Sequence, residues 1–279
     1  MSQARRYIFH ASASALTGHL LRPQDVIIDG GCASSLTVAG GRSHAEATGK
    51  TFGGFIAFGS AVTDAQGGFD DSSLATELTF GRVAEETLTT STTAFVEVKD
   101  LVVGQKPTLK VGLLRGSLIS RSPGLSGEPS IRLVEGTAVG VFVDEFELRV
   151  TVDATPFQLY DTRAKLLAMM DDEQFLKEHG DSFLQSPSES LNGRVQMLSS
   201  CGTIYANIVK QIQWVGDSFE GATIDRNSVT IPNIGRVVFG EIIISGHARR
   251  LTMLRLQLGS DVGGMVAAAD VISNGDVTP

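Results

Sequence analysis

The segment from Thr230 to Gly264 carries the strongest folding signal in the chain, a dense run of β-branched and leucine residues punctuated by glycines. Leu254, Leu256 and Leu258 alternate with Arg255 and Gln257. A period of two puts the leucines on one face of a strand and the polar pair on the other. Two arms, Arg236 to Ser245 and Arg249 to Leu258, flank Gly246-His247 and read as an antiparallel hairpin with its leucines in a core. Nothing in the segment has the character of a reaction centre.

The same period recurs elsewhere. Phe142, Phe146, Leu148, Val150 and Val152 fall on one face, with Glu145, Glu147, Arg149, Thr151 and Asp153 on the other, which reads as a single strand with one wet side. Tyr7 to Phe9 and Asp25 to Asp29 flank the turn Arg22-Pro23-Gln24, and Ser35 to Ala39 with Ser43 to Thr48 form a hairpin-like layout around Gly40-Gly41. Phe52 to Thr63, Leu74 to Phe80, Thr92 to Val103, Leu109 to Arg121, Arg194 to Val215 and Met265 to Ile272 supply further strands. Gln66 to Ser73 and Ser122 to Pro129 read as loops from their Gly, Pro, Ser and Asp content.

One segment departs from this pattern. After Pro156, Asp161 can cap a helix starting at Thr162, with Leu166, Leu167 and Met170 at helical spacing. Asp171 and Gln174 resemble a capping box for a following turn that Gly180 would end. The expected fold is mainly β, an antiparallel sandwich or barrel of roughly a dozen strands with one short helical excursion near 161–180. One large domain over 1–279 is expected; the alternative divides the chain into 1–155, a helical connector 156–190 and 191–279. A weak echo between Phe95–Ser117 and Val238–Ser260 indicates two similar hairpins and not a repeat family. A transmembrane barrel is disfavoured because one Trp and three Tyr are too few for aromatic girdles.

Charge narrows the partners. Thirty-one acidic against 23 basic residues give −8, a field that repels nucleic acid and anionic lipid. The pairs Arg5-Arg6 and Arg249-Arg250 are short and read as solvated strand ends. Cys32 and Cys201 are the two cysteines and share no metal-binding spacing, so a zinc cage is not expected and a single long-range bridge stays open. The N-terminal stretch fails as a signal peptide, because His10, Ser12, Ser14, Thr17 and His19 interrupt the apolar run of about 7 to 15 residues that such a peptide needs. No run reaches the about 18 apolar residues of a membrane helix. A cytoplasmic location is the default expectation.

Familiar catalytic patterns are incomplete. Gly49-Lys50-Thr51 matches the tail of a phosphate-binding loop, but His44 stands where its first glycine belongs. His44-Ala45-Glu46 matches half of a zinc deaminase signature without its cysteines; alternation instead places His44, Glu46 and Thr48 on a solvent-facing side. His10, His19 and His44 could meet only through the tertiary fold. Gly124-Leu125-Ser126-Gly127-Glu128 misses the last glycine of a nucleophile elbow. Among the acidic clusters, Asp70-Asp71 is the loop pair and the candidate for ligand or Ca²⁺ binding. No cofactor and no metal is expected. These readings favour a non-catalytic binding or assembly protein acting through sheet faces, edges or loops, its partner a second copy or another protein. The alternative is a hydrolase whose carboxylates or histidines converge from separate strands.

Overall fold

A computed structural model of the protein describes residues 6–22, 25–70, 89–123, 128–183, 203–259 and 263–278. Two antiparallel sheets form a β-sandwich. The seven-stranded sheet runs β4 (Gly41–Phe52), β5 (Ile56–Phe69), β6 (Thr89–Val103), β7 (Leu109–Pro123), β8 (Ser130–Val143), β9 (Phe146–Val152) and β11 (Val209–Trp214) in that spatial order. The nine-stranded sheet is built around β14 (Gly235–Ile244), β15 (Ala248–Leu258), β16 (Gly264–Thr278) and β1 (Arg6–Leu20). Beside β1 lie β2 (Val26–Ile28) and β3 (Ala33–Ser35); beside β14 lie β13 (Ser228–Ile231), which carries β12 (Thr223–Asp225), and β10 (Ile204–Asn207). Between β9 and β10 the chain makes α1 (Thr155–Leu159), α2 (Arg163–Met170) and α3 (Glu173–His179).

The hairpin read from Thr230 onward is β14 and β15, and Leu254, Leu256 and Leu258 do face inward. Its alternation has a phase change, however. Leu251 and Met253 are buried, and so are Leu254 and Leu256, so inward facing passes from odd to even positions between Met253 and Leu254. The same change occurs at Phe239-Gly240 on β14, Ala268-Ala269 on β16 and Ala15-Leu16 on β1. Register places Gly240, Met253, Ala269 and Ala15 opposite one another between paired residues, so the change runs across the sheet as one crease. Gly240 (φ 60°) and Ala269 (φ 52°), on alternate strands of the crease, take left-handed backbone at the reversal.

The seven-stranded sheet has its own crease. Gly49, Gly59, Asp100, Gly112 and Gly140 are aligned across β4 to β8 by the pairs on either side of them. Here the doubled positions point outward, and Lys99 and Asp100 are both exposed between the buried Val98 and Leu101. Gly49, Asp100 and Gly140 lie at φ 60°, 54° and 66°. Glycine also suits the approach of neighbouring strands, since a Cβ on Gly140 would sit 3.3 Å from the Gly112 Cα. The inward row of one sheet thus faces a sheet that is doubled outward. Met253 comes close to Gly116 and Gly136, two register partners whose missing side chains make room for it. One buried cluster joins both sheets and the helices.

The helical excursion clasps the two sheets together. Asp161 does not cap α2; Thr162 does, through its side chain and the Lys165 amide. Asp161 is instead nearly buried, accepting from Lys165 Nζ (2.7 Å), Ser130 Oγ (2.9 Å) and Arg132 on β8. Burial alone would raise its pKa, but these donors outweigh it and bring the carboxyl down to about 2. Arg249, expected from sequence at a solvated strand end, is 1% exposed. Alternation back from Leu251 turns it inward, where its Nη groups donate to the carbonyls of Phe157 (3.1 Å) and Tyr160 (2.8 Å) at the end of α1. Burial lowers its pKa to about 10, against the fields of Asp161 and Glu128, so it remains a cation at neutral pH.

Other local readings shift for identifiable reasons. The strand read through Phe142 and Phe146 is broken at Asp144 (φ 51°) by a two-residue turn, so Phe142 belongs to the end of β8, one residue before its last, Val143, and lies opposite Glu147 of β9. Ser35 and Ser43 belong to different sheets, because Gly40-Gly41 carries the chain from β3 to β4. Asp172, one residue later than expected, caps α3 by accepting from Gln174 and Phe175 amides. Gly180 does end α3 as its C-cap, in right-handed and not left-handed backbone, and leads into a 3₁₀ turn. Gln66 to Phe69 continues β5, paired with Thr90 to Thr93, since Gly67 lets Leu36 and Phe9 pack against the strand. The echo between hairpins fails at Leu113, which lies on the outward doubled row while Leu256 is buried. The strand Leu74–Phe80, the loop Gly124–Gly127 and Cys201 lie outside the described residues. Cys32 is a free, buried thiol beside the Ala61 carbonyl and Thr63.

Candidate functional site

On the outside of the nine-stranded sheet, along its crease, lies a trough of about 510 Å³. Its floor comes from β15, β14, β16 and β1, and Tyr205 of β10 stands on one flank. The crease explains its position. Two successive inward residues on each strand leave the opposite surface with a gap in its rows of side chains, and the trough lies along that gap.

Four charged side chains organise the trough. Arg250 Nε donates to both carboxylate oxygens of Asp270, at 2.8 and 3.1 Å, and Thr252 Oγ1 donates to the same group at 2.7 Å. Across the crease, Arg255 uses Nε and Nη2 to bind the two oxygens of Glu241 side-on, the second bond at 2.7 Å. Both arginine pKa values are raised, chiefly by these hydrogen bonds and against partial burial. The strand register creates the pairs: Thr252 stands beside Glu241 on one neighbour and Asp270 on the other. The carboxylates are turned toward their arginines and are 10% (Asp270) and 17% (Glu241) exposed. Around them lie Thr17, Ile243, Ala267, Met265 (56% exposed) and Tyr205 (46% exposed).

The residues singled out from sequence lie elsewhere. Asp70 closes β5, its amide donating to the Thr89 carbonyl at 2.7 Å, and Asp71 is outside the described residues. His10 and His19 sit on one strand, nine positions or about 30 Å apart, and His44 is on the outer face of the other sheet. The structure therefore does not bring the three histidines together. Among the described residues no group of three or more His, Cys, Asp or Glu side chains is arranged to hold a metal ion.

His44, Glu46 and Thr48 do share the exposed side of β4, as alternation requires. His44 is engaged at both ring nitrogens, by Glu46 Oε1 at 3.0 Å and Asp64 Oδ2 at 3.1 Å, and Asp64 also holds Arg42 at 2.7 Å. Hydrogen bonds to Glu46 and then Asp64 raise the histidine pKa. Further along this face Lys99, Glu97, Arg115 and Glu135 form a second ladder, in which Lys99 and Arg115 hold Glu97 below its usual carboxylate range despite some burial. The first ladder starts on β4, the edge strand of this sheet, where charge discourages unspecific pairing with other sheets.

Sequence reading passed over Arg250, Thr252, Asp270, Glu241 and Tyr205. The available signal was small: the adjacent apolar pair Met253-Leu254 interrupts alternation and marks the crease, and Arg250 and Arg255 lie on either side of it.

A family model described as a domain of unknown function (DUF8256) matches residues 7–245, which takes in strands of both sheets, the helices and the first arm of the β14–β15 hairpin. No curated protein and no solved structure matches the chain.

Proposed function

The chain belongs to the family described as a domain of unknown function, DUF8256, and we propose that it is a non-catalytic binding or assembly protein whose contact surface is the trough on its nine-stranded sheet. The observation carrying this reading is the pairing of committed charges with exposed apolar groups: Asp270 and Glu241 are each engaged by an arginine, while Tyr205 and Met265 present large side chains to solvent. Tyr, Met and Arg are the residue types enriched at recognition surfaces. A carboxylate whose oxygens already accept arginine and threonine hydrogen bonds is a poor general base, because its basic lone pairs are occupied.

The hydrolase alternative has its best support at His44, where two carboxylates flank an imidazole. Engagement of both nitrogens by acceptors favours the imidazolium, which has no lone pair with which to take a proton. That chemistry fits a fixed charge cluster better than a catalytic base.

Sedimentation velocity across a concentration series reads assembly, and thermal-shift screening of small molecules reads binding. The proposal expects a response in at least one, lost in Met265→Asp with the fold retained. Turnover of ester, amide or glycoside substrates that is abolished by His44→Ala or Asp64→Asn would overturn it.

A further inference from the structure

We infer that the trough binds an organic anion with an apolar body, its acid group held by the free edges of Arg250 and Arg255. This rests on the reading of the trough as the contact surface and names what it takes. Arg250 spends only Nε on Asp270, which among the described residues leaves both terminal amino groups as unengaged donors. Arg255 spends Nε and Nη2 on Glu241, which leaves Nη1. Both side chains line the same cavity. The carboxylates and Thr252 fix the guanidinium planes from behind, so the donors are oriented before any ligand arrives and lose little entropy in meeting it.

The complement of planar N–H donors is a carboxylate, sulfate or phosphate oxygen pair. Inorganic anions would satisfy that part alone, but the rest of the lining asks for more. Met265, Ile243, Ala267 and the Tyr205 ring form an apolar flank next to the arginines, and a volume of about 510 Å³ admits a small amphiphilic acid. A cationic ligand would have to compete with Arg250, Thr252 and Arg255 for the carboxylates of Asp270 and Glu241, each oxygen of which already accepts a hydrogen bond.

The test is calorimetric titration of the full chain with octanoate, octylamine and inorganic phosphate. The expected result is saturable octanoate binding, with phosphate weaker and octylamine silent. Arg250→Lys keeps a cation for Asp270 but removes the planar fork, and should weaken octanoate by about tenfold, the usual scale of one charge-assisted hydrogen bond. Ala267→Phe fills the trough from the strand position beside Arg255 while leaving all four charged side chains in place, and should abolish binding while the melting temperature stays within the wild-type range. Octylamine binding as tightly as octanoate, octanoate binding unchanged in both variants, or no octanoate binding at millimolar concentration would each overturn the inference. Concentration-dependent assembly that Met265→Asp removes, seen together with no octanoate binding, would sink this inference and leave the contact-surface reading standing.

Discussion

The two sheets use the same backbone device in opposite senses. Across the nine-stranded sheet the doubled row, Ala15-Leu16, Met253-Leu254 and Ala268-Ala269, faces the core and is built from residues that fill space. Across the seven-stranded sheet the doubled row, Gly59-Ser60, Lys99-Asp100, Gly112-Leu113 and Val139-Gly140, faces solvent and is built largely from glycine and polar residues. Side-chain choice follows from where the second residue of each pair points. The difference teaches why this trough follows the crease of the nine-stranded sheet: inward doubling leaves a gap in the outer rows of side chains, whereas outward doubling fills them.

The comparison can be broken most forcefully at equivalent leucines. Leu254→Ala, and likewise Leu256→Ala, removes a fully buried side chain and should cost about 2–5 kcal/mol in urea unfolding. Leu113→Ala on the outward row should cost about 1 kcal/mol or less. Equal losses would mean that the two creases do not differ in facing.

Acid tests the clasp that keeps the creases in register. Asp161 links α2 to β8, while Arg249 of β15 holds the end of α1. The Asp161 pKa is depressed to about 2 in the folded state, so its contribution is complete above the unfolded value near 4 and is lost as pH falls through about 2. The gap amounts to about 2 kcal/mol. Denaturant midpoints measured between these pH values should fall in wild type and fall less in Asp161→Asn; parallel profiles would contradict the assignment. His44 acts in the other direction. Its raised pKa makes its contribution complete below the ordinary histidine value and lost as pH rises through the folded one.

Smaller effects sharpen the role of backbone conformation. Gly140→Ala places a Cβ on left-handed backbone and against Gly112, and should destabilise by about 1–2 kcal/mol. Asp100→Gly relieves a non-glycine residue at positive φ on an exposed position, so thermal unfolding should stay within about 0.5 kcal/mol of wild type. A loss as large as that of Gly140→Ala would mean that the Asp100 side chain, and not its backbone, matters in the crease.

Much of the architecture is legible in the sequence because strand alternation is a local signal. Leu254, Leu256 and Leu258 announce their face, and the residues that interrupt the N-terminal apolar run, Ser12, Ser14 and His19, are the ones β1 turns away from the core. The break at Asp144 and the crossing at Gly40-Gly41 are harder, since a turn and a continuing strand differ there by backbone angles that no side-chain pattern reports. The trough is harder still. Each strand shows only a single break in period; its meaning depends on four breaks falling side by side, which is a property of register. Asp270 and Glu241 look like ordinary outer-face acids until register sets them on either side of Thr252.

The most direct measurement is thiol labelling of single-cysteine variants at adjacent positions, in a background with Cys32 and Cys201 replaced by serine. Met253→Cys and Leu254→Cys should both resist maleimide under native conditions, while Lys99→Cys and Asp100→Cys should both react readily. Ordinary alternation would protect one member of each pair and expose the other, and that result would contradict the opposed creases on which the trough depends.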